Sequence, residues 1–259
     1  LCLGTDGEGA KIFNIPKQLI TDYPFDNSYL DSGTSKVHSV LKDNAGNLWI
    51  AIYQKGVMMI PAQPNSFKYI GYKSINKNII GSNCITSLCR DHKGILWIGT
   101  DNDGIYGITT ELKQKVHYAP HDSPSSVPST VFGLYEDSEH NLWFGSYTNG
   151  LGRLDKKTGQ CSYLQNLTDK NGNRIQRVYD LVEDQDKRLW IATMGAGLFY
   201  YDLKTGQSVY DPKFNAATKK YKWISCLLYA GDNHLYVGTY DGIRCIDLST
   251  DDFKTEEIL

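Results

Sequence analysis

Ten residues carry side chains suited to holding a polar, C–H-rich ligand such as an oligosaccharide: Tyr53, Asp101, Asp103, Tyr147, Asn149, Arg174, Arg177, Met194, Trp223 and Tyr240. Aromatic faces stack on the apolar faces of sugar rings, and amides and carboxylates pair with hydroxyls. The two arginines add bidentate capture of a carboxylate or sulfate. A structural role within the segment RIQRVYD is the competing expectation for Arg174 and Arg177.

Other residue types point to no reaction. The cysteines Cys2, Cys84, Cys89, Cys161, Cys226 and Cys245 form no CxxC pair and no metal-ligand spacing. A Cys84–Cys89 disulfide is conceivable, but free thiols acting as small hydrophobes are the expectation. The six histidines, His38, His92, His117, His121, His140 and His234, share no common position. The run Asp101-Asn102-Asp103-Gly104 resembles part of a calcium loop, yet it lacks the distant bidentate Glu and reads as a turn. No catalytic residue, metal or cofactor is therefore assigned.

The elements that position these residues follow from one repeated sentence. It reads NLWIAIYQKGVMMI (47–60), ILWIGTDNDGIYGI (95–108), NLWFGSYTNGLGRLD (141–155), RLWIATMGAGLFYYD (188–202) and HLYVGTYDGIRCID (234–247), with LCLGTDGEGAKIFN (1–14) as a first copy. From Cys2 through Trp49, Trp97, Trp143, Trp190 and Tyr236 the intervals are 47, 48, 46, 47 and 46 residues. Such a period is the signature of a repeat architecture.

Each repeat holds four short β-type runs, a to d. Run a ends in Asp, run b holds LWIGT, run c follows a glycine and run d carries a tyrosine (Tyr69, Tyr118, Tyr163, Tyr210). Four strands of about six residues with four connections of about five make about 44 residues, which leaves no room for a crossover helix. Between runs a and b the pattern D-x-x-G-x-L-W supplies an Asp-braced hairpin with a glycine for its left-handed position. His140, Lys187 and Asn233 stand in for that glycine in later copies, and Ala230 replaces the Asp. Runs a and b lack strict polar alternation, so both their faces should be covered. The prediction is an all-β fold, a β-propeller of four-stranded antiparallel blades. Its blades fall approximately at 1–30 (lacking the innermost strand), 37–75, 85–120, 131–165, 178–212 and 224–259. Trp49, Trp97, Trp143, Trp190 and Tyr236 are expected to be its repeated packing core.

Composition agrees. The 259 residues are 41% hydrophobic and 22% charged, which is globular, and a net charge of −2 gives no basic field for a nucleic-acid backbone. No run reaches the length of a membrane-spanning helix, and the first residues lack a signal-peptide layout.

The segments Asp91-His-Lys-Gly-Ile-Leu-Trp-Ile-Gly-Thr100 and Gly197-Leu-Phe-Tyr-Tyr-Asp202 resemble the two-component regulator propeller repeat. The resemblance implies part of the periplasmic sensor region of a hybrid two-component histidine kinase, non-catalytic itself. It implies further blades, a β-sandwich and kinase domains as partners in the same protein, with a possible homodimer. A protein-docking scaffold is the alternative. Sialidases place Asp five residues before Trp, here six, and streptogramin-type lyases hold a metal with axial Glu and His, so a propeller lyase or glycoside hydrolase is the weaker reading.

With run a innermost, the b–c and d–a connections share one face, and binding residues concentrate on such loops. The d–a stretches 15–36, 71–84, 120–130, 165–177 and 211–223 vary most and carry Tyr23, Phe25, Tyr29, His121 and Asp122 besides Arg174, Arg177 and Trp223. The chain starts inside a run b and ends after a run d. About 5.5 repeats are thus expected to form an incomplete ring, part of a propeller of seven or more blades.

Overall fold

The computed structural model describes residues 1–23, 35–63, 70, 80–82, 84–111, 113–169, 171–210, 223–249 and 254–258. Within them every regular element is a β-strand, and no helix is long and apolar enough to cross a membrane. The chain divides into two compact units, Leu1–Gly81 and Ser82–Leu259. The expectations on Phe25, Tyr29 and Tyr69 lie outside the described residues.

The second unit holds four sheets of four antiparallel strands, each in sequential order from a to d. The first comprises β7 (Ile85–Arg90), β8 (Leu96–Thr100), β9 (Ile105–Ile108) and β10 (Gln114–Tyr118). Next come β11 (Val131–Glu136), β12 (Leu142–Ser146), β13 (Leu151–Leu154) and β14 (Cys161–Tyr163). The third is β15 (Val178–Glu183), β16 (Arg188–Thr193), β17 (Leu198–Asp202) and β18 (Gln207–Val209). The last is β19 (Ile224–Tyr229), β20 (His234–Thr239), β21 (Gly242–Asp247) and β22 (Thr255–Glu257). Among its described residues the first unit has two three-stranded sheets: β1 (Cys2–Gly4), β2 (Ala10–Asn14) and β3 (Leu19–Asp22), then β4 (Val37–Lys42), β5 (Leu48–Ile52) and β6 (Gly56–Ile60). These are β-propeller blades.

The repeated Asp does more than brace a turn. In the a–b hairpins Asp43, Asp91, Asp137 and Asp184 accept the indole N–H of Trp49, Trp97, Trp143 and Trp190 at 2.8, 2.9, 2.7 and 2.8 Å. The same carboxylates accept the backbone N–H four residues on. A large aromatic can thus be buried with its one polar atom satisfied. In the last blade Ala230 and Tyr236 replace both partners together. The hairpin position filled by Gly46 and Gly94 has positive φ in every copy, including His140 (68°), Lys187 (69°) and Asn233 (63°).

Three of the repeat tryptophans pack on the following blade. Trp97 clusters with Val131, Leu134 and Phe144, Trp143 with Val178, Ile191 and Phe199, and Trp190 with Ile224, Leu235 and Val237. Trp190 is 0% exposed, whereas Trp49 is 40% exposed and Tyr236 is half-buried. The expectation that all five are core therefore fails at Trp49, since among the described residues of its own unit no sheet follows the one that carries it. The glycine of the run b sentence sets the spacing between blades: a Cβ at Gly145 would lie 2.6 Å from the Val178 carbonyl.

Carboxylates at the end of run a tie neighbouring blades. Glu183 accepts the backbone N–H and hydroxyl of Ser138 at 2.7 and 2.5 Å, and Glu136 accepts the backbone N–H of His92 at 2.6 Å.

Candidate functional site

A feature shared by all five a–b pairs shapes the site. The register slips between Val37 and Ser39, Ile85 and Ser87, Val131 and Gly133, Val178 and Asp180, and Ile224 and Cys226. One extra residue sits in each innermost strand: His38, Thr86, Phe132, Tyr179 and Ser225. A β-bulge leaves its extra residue outside the ladder and re-aims the side chain. Thr86, Phe132, Tyr179 and Ser225 accordingly line a pocket of about 390 Å³ in the second unit, together with Ser87, Leu88, Leu134 and Asp180.

Aromatic rings form the pocket's platform. Phe132 and Tyr179 stack with centroids 4.4 Å apart and an interplanar angle of 19°. Tyr147, from the b–c loop, meets Phe132 edge-on at 5.8 Å. The Arg177 guanidinium lies over Tyr147 at 4.9 Å, and its Nη1 is 4.0 Å from the Met194 sulfur. A second cleft of about 220 Å³, lined by Tyr179, Met194, Trp223, Ile224, Ser225 and Tyr240, shares Tyr179 and Ser225 with the first. Trp223 is 56% and Tyr240 91% exposed. The b–c residue Met194 forms an isolated β-bridge with the d–a residue Trp223, which places both loop sets on one face.

Polar groups are few. Asp180 accepts the backbone N–H of Leu181 at 2.9 Å and that of Leu227 in the next blade at 2.8 Å. Burial pushes its carboxyl above the usual value of 3.8 despite those two bonds. The Ser87 hydroxyl is buried without a hydrogen-bond partner among the described residues. It is a polar atom for a ligand to satisfy.

The structure thus gathers Tyr147, Arg177, Met194, Trp223 and Tyr240, and separates the rest. Asp101 accepts the Thr130 hydroxyl at 2.7 Å, and Asp103 accepts the Tyr106 hydroxyl and faces His117 Nε2 at 3.3 Å. Both carboxylates are thus engaged, and Thr100 braces their turn by accepting the Asp103 N–H at 3.1 Å. Asn149 accepts the Thr148 hydroxyl on its side chain and the Arg174 guanidinium on its carbonyl, at 2.7 and 3.1 Å. Neither Arg174 nor Arg177 has an ion pair among the described residues. Tyr53 belongs to the first unit, where it tilts against the bulge residue His38 at 5.1 Å beside a separate cavity. All six cysteines are free thiols.

Sequence reasoning missed Phe132, Tyr179, Thr86 and Ser225. Their signal was the second position of run a, which changes in every copy (VHS, ITS, VFG, VYD, ISC) while the position before it stays Val or Ile.

Residues 79–102, 125–148 and 168–195 match the family model described as two component regulator propeller. Among solved structures, the chain is similar to two proteins from B. thetaiotaomicron named as extracellular domains of hybrid two component systems. They are BT3049 (21% identity, TM-score 0.58, covering 100% of this chain and 39% of that one) and BT4673 (20%, 0.59, 99% and 35%). It is also similar to PorZ of Porphyromonas gingivalis, named as an essential surface component of the type-IX secretion system (18%, 0.52, 93% and 36%). The chain spans less than two-fifths of each of these structures. No curated protein matches the sequence.

Proposed function

We propose, for a chain in which three segments match the two component regulator propeller model, the function of an extracytoplasmic, non-catalytic ligand-sensing module. Its ligand is an oligosaccharide and its output passes to a hybrid two-component histidine kinase. The observation that carries this reading is the stacked Phe132–Tyr179 pair in the pocket, flanked by Tyr147 and Arg177. Aromatic platforms bind sugar faces, and Arg177 favours an acidic residue such as a uronate or a sulfated sugar. Among the described residues Asp180 is the single carboxyl lining the pocket, and two backbone amides hold it, whereas glycoside hydrolysis uses a pair of carboxyls. The relatives named as parts of two component systems support the kinase context, and their extracellular origin supports the location.

Sensing requires only that the ligand prefer one arrangement of the protein by a few kcal/mol. The exposed Trp223 and Tyr240 also suit a protein partner on the same face, and PorZ shows the fold outside kinases. Calorimetric titration of a panel of neutral, uronate-containing and sulfated oligosaccharides tests the proposal. Binding that Tyr179→Ala abolishes supports it, and no heat from any glycan overturns it.

A further inference from the structure

On the opposite face, where the a–b hairpins lie, each junction between blades of the second unit repeats one arrangement. The residue after the run a Asp meets the hairpin's left-handed residue of the next blade. Ser138 thus meets Lys187, Gln185 meets Asn233, and His92 meets His140. At the first two the pairing is an ordinary polar contact. At the third it brings two imidazoles together, stacked with centroids 3.7 Å apart at 23°. Glu136 stands beside them, with Oε1 2.8 Å from His92 Nδ1.

We propose that His92, His140 and Glu136 form a binding site for a divalent transition-metal ion of the Ni²⁺ or Zn²⁺ class, clamping the blade that starts at Ile85 to the one that starts at Val131. One ligand atom from each of the three lies within 4.8 Å of the others. Two imidazoles and a carboxylate are the donor set that borderline metals select. Tetrahedral bonds of about 2.0–2.2 Å require the three to close up by about 1 Å, which the half-exposed His92 and exposed His140 side chains can do by small torsional changes. Fixed hairpins supply the positioning, because His92 N–H already binds the Glu136 carboxylate and the His140 backbone is held at φ 68°. Water completes the coordination on the open side. Lys156 is the built-in competitor: its ammonium contacts Glu136 and lies 3.6 Å from Asp91. A bound dication must displace it.

Calorimetry with Ni²⁺ and the absorption spectrum of the Co²⁺ form test the site on the whole chain. One equivalent should bind, and the Co²⁺ spectrum should show nitrogen and oxygen ligands without a thiolate charge-transfer band. His140→Gly keeps the left-handed backbone that glycine adopts freely, so its metal-free unfolding midpoint should stay at or above that of the wild type while affinity falls at least tenfold. His92→Gln should weaken binding equally, and Lys156→Met should tighten it. Affinity unchanged in His140→Gly, or a thiolate band from the cysteines, overturns the proposal, as does the absence of binding in the wild type.

Discussion

Asp184 and Trp190 are joined by a hydrogen bond of 2.8 Å from the indole nitrogen to Oδ2, and both side chains are buried. The same carboxylate receives Arg188 Nε at 2.6 Å and two backbone N–H groups of its hairpin, those of Asp186 and Arg188, both on Oδ1. Removing it leaves a buried indole N–H unpaired and strips the Arg188 guanidinium of its Nε partner, leaving it only Asp186 at 3.1 Å. Asp184→Ala should cost about 3 kcal/mol in urea unfolding. Asp43→Ala, beside the half-open Trp49, should cost distinctly less.

Gly94 sits at φ 80° with only the flexible end of Arg90 near its missing Cβ. The cost of a side chain there is conformational, not steric. Gly94→Ala should lower stability by about 1 kcal/mol, and Gly94→Asn by less, since Asn enters the left-handed region more readily. Equal costs would mean that packing, and not backbone conformation, governs the hairpin.

Burial pushes the Cys161 thiol up to about 12, while Cys84 and Cys226 are exposed. The thiolate is the reactive form. Alkylation by iodoacetamide at pH 8, read by peptide mass spectrometry, should label Cys84 and Cys226 first. Cys161 should react only once the chain is unfolded.

Asp180 has a folded-state pKa above its usual 3.8, so its neutral form is the one the fold favours. Its contribution is fully present below 3.8 and is lost as pH rises through the raised folded value. Stability measured for the wild type and Asp180→Asn should therefore shift in the variant's favour between pH 3.5 and 7. A difference that does not change with pH would mean that the carboxyl titrates normally.

If Arg177 selects acidic sugars, Arg177→Gln should weaken uronate-bearing or sulfated ligands about tenfold, the loss of one charge-assisted pair. Neutral ligands should stay within about twofold. A uniform loss would instead assign Arg177 to holding the Tyr147 ring.

The 46–48-residue period and the turn residues made the blades readable, because strand length and hairpin chemistry are local. The left-handed position was readable through glycine and only half readable where His140 and Lys187 hold it, since tertiary pairing overrides their preference. The Asp–Trp pair was visible as a six-residue spacing, but its meaning required knowing that the indole turns back over its own hairpin. The bulges were invisible, because an extra residue in one strand leaves the apolar pattern of the run intact. Hence Tyr147, Arg177 and Trp223 were singled out on the loops, while Phe132 and Tyr179, which build the pocket floor, were missed. The meeting of His92 with His140 joins blades 48 residues apart, a distance that no local pattern spans.

The bulged residue of run a holds no place in the ladder, so its identity is uncoupled from the register of the sheet. Each blade of the second unit in effect contributes one letter to the pocket, and together they spell Thr, Phe, Tyr, Ser. Changing a letter rewrites the lining of the pocket without disturbing the strand pairing on which the blade depends. Selection can therefore re-spell the binding surface one repeat at a time, and a library varied only at 86, 132, 179 and 225 would sample new specificities on an unchanged scaffold.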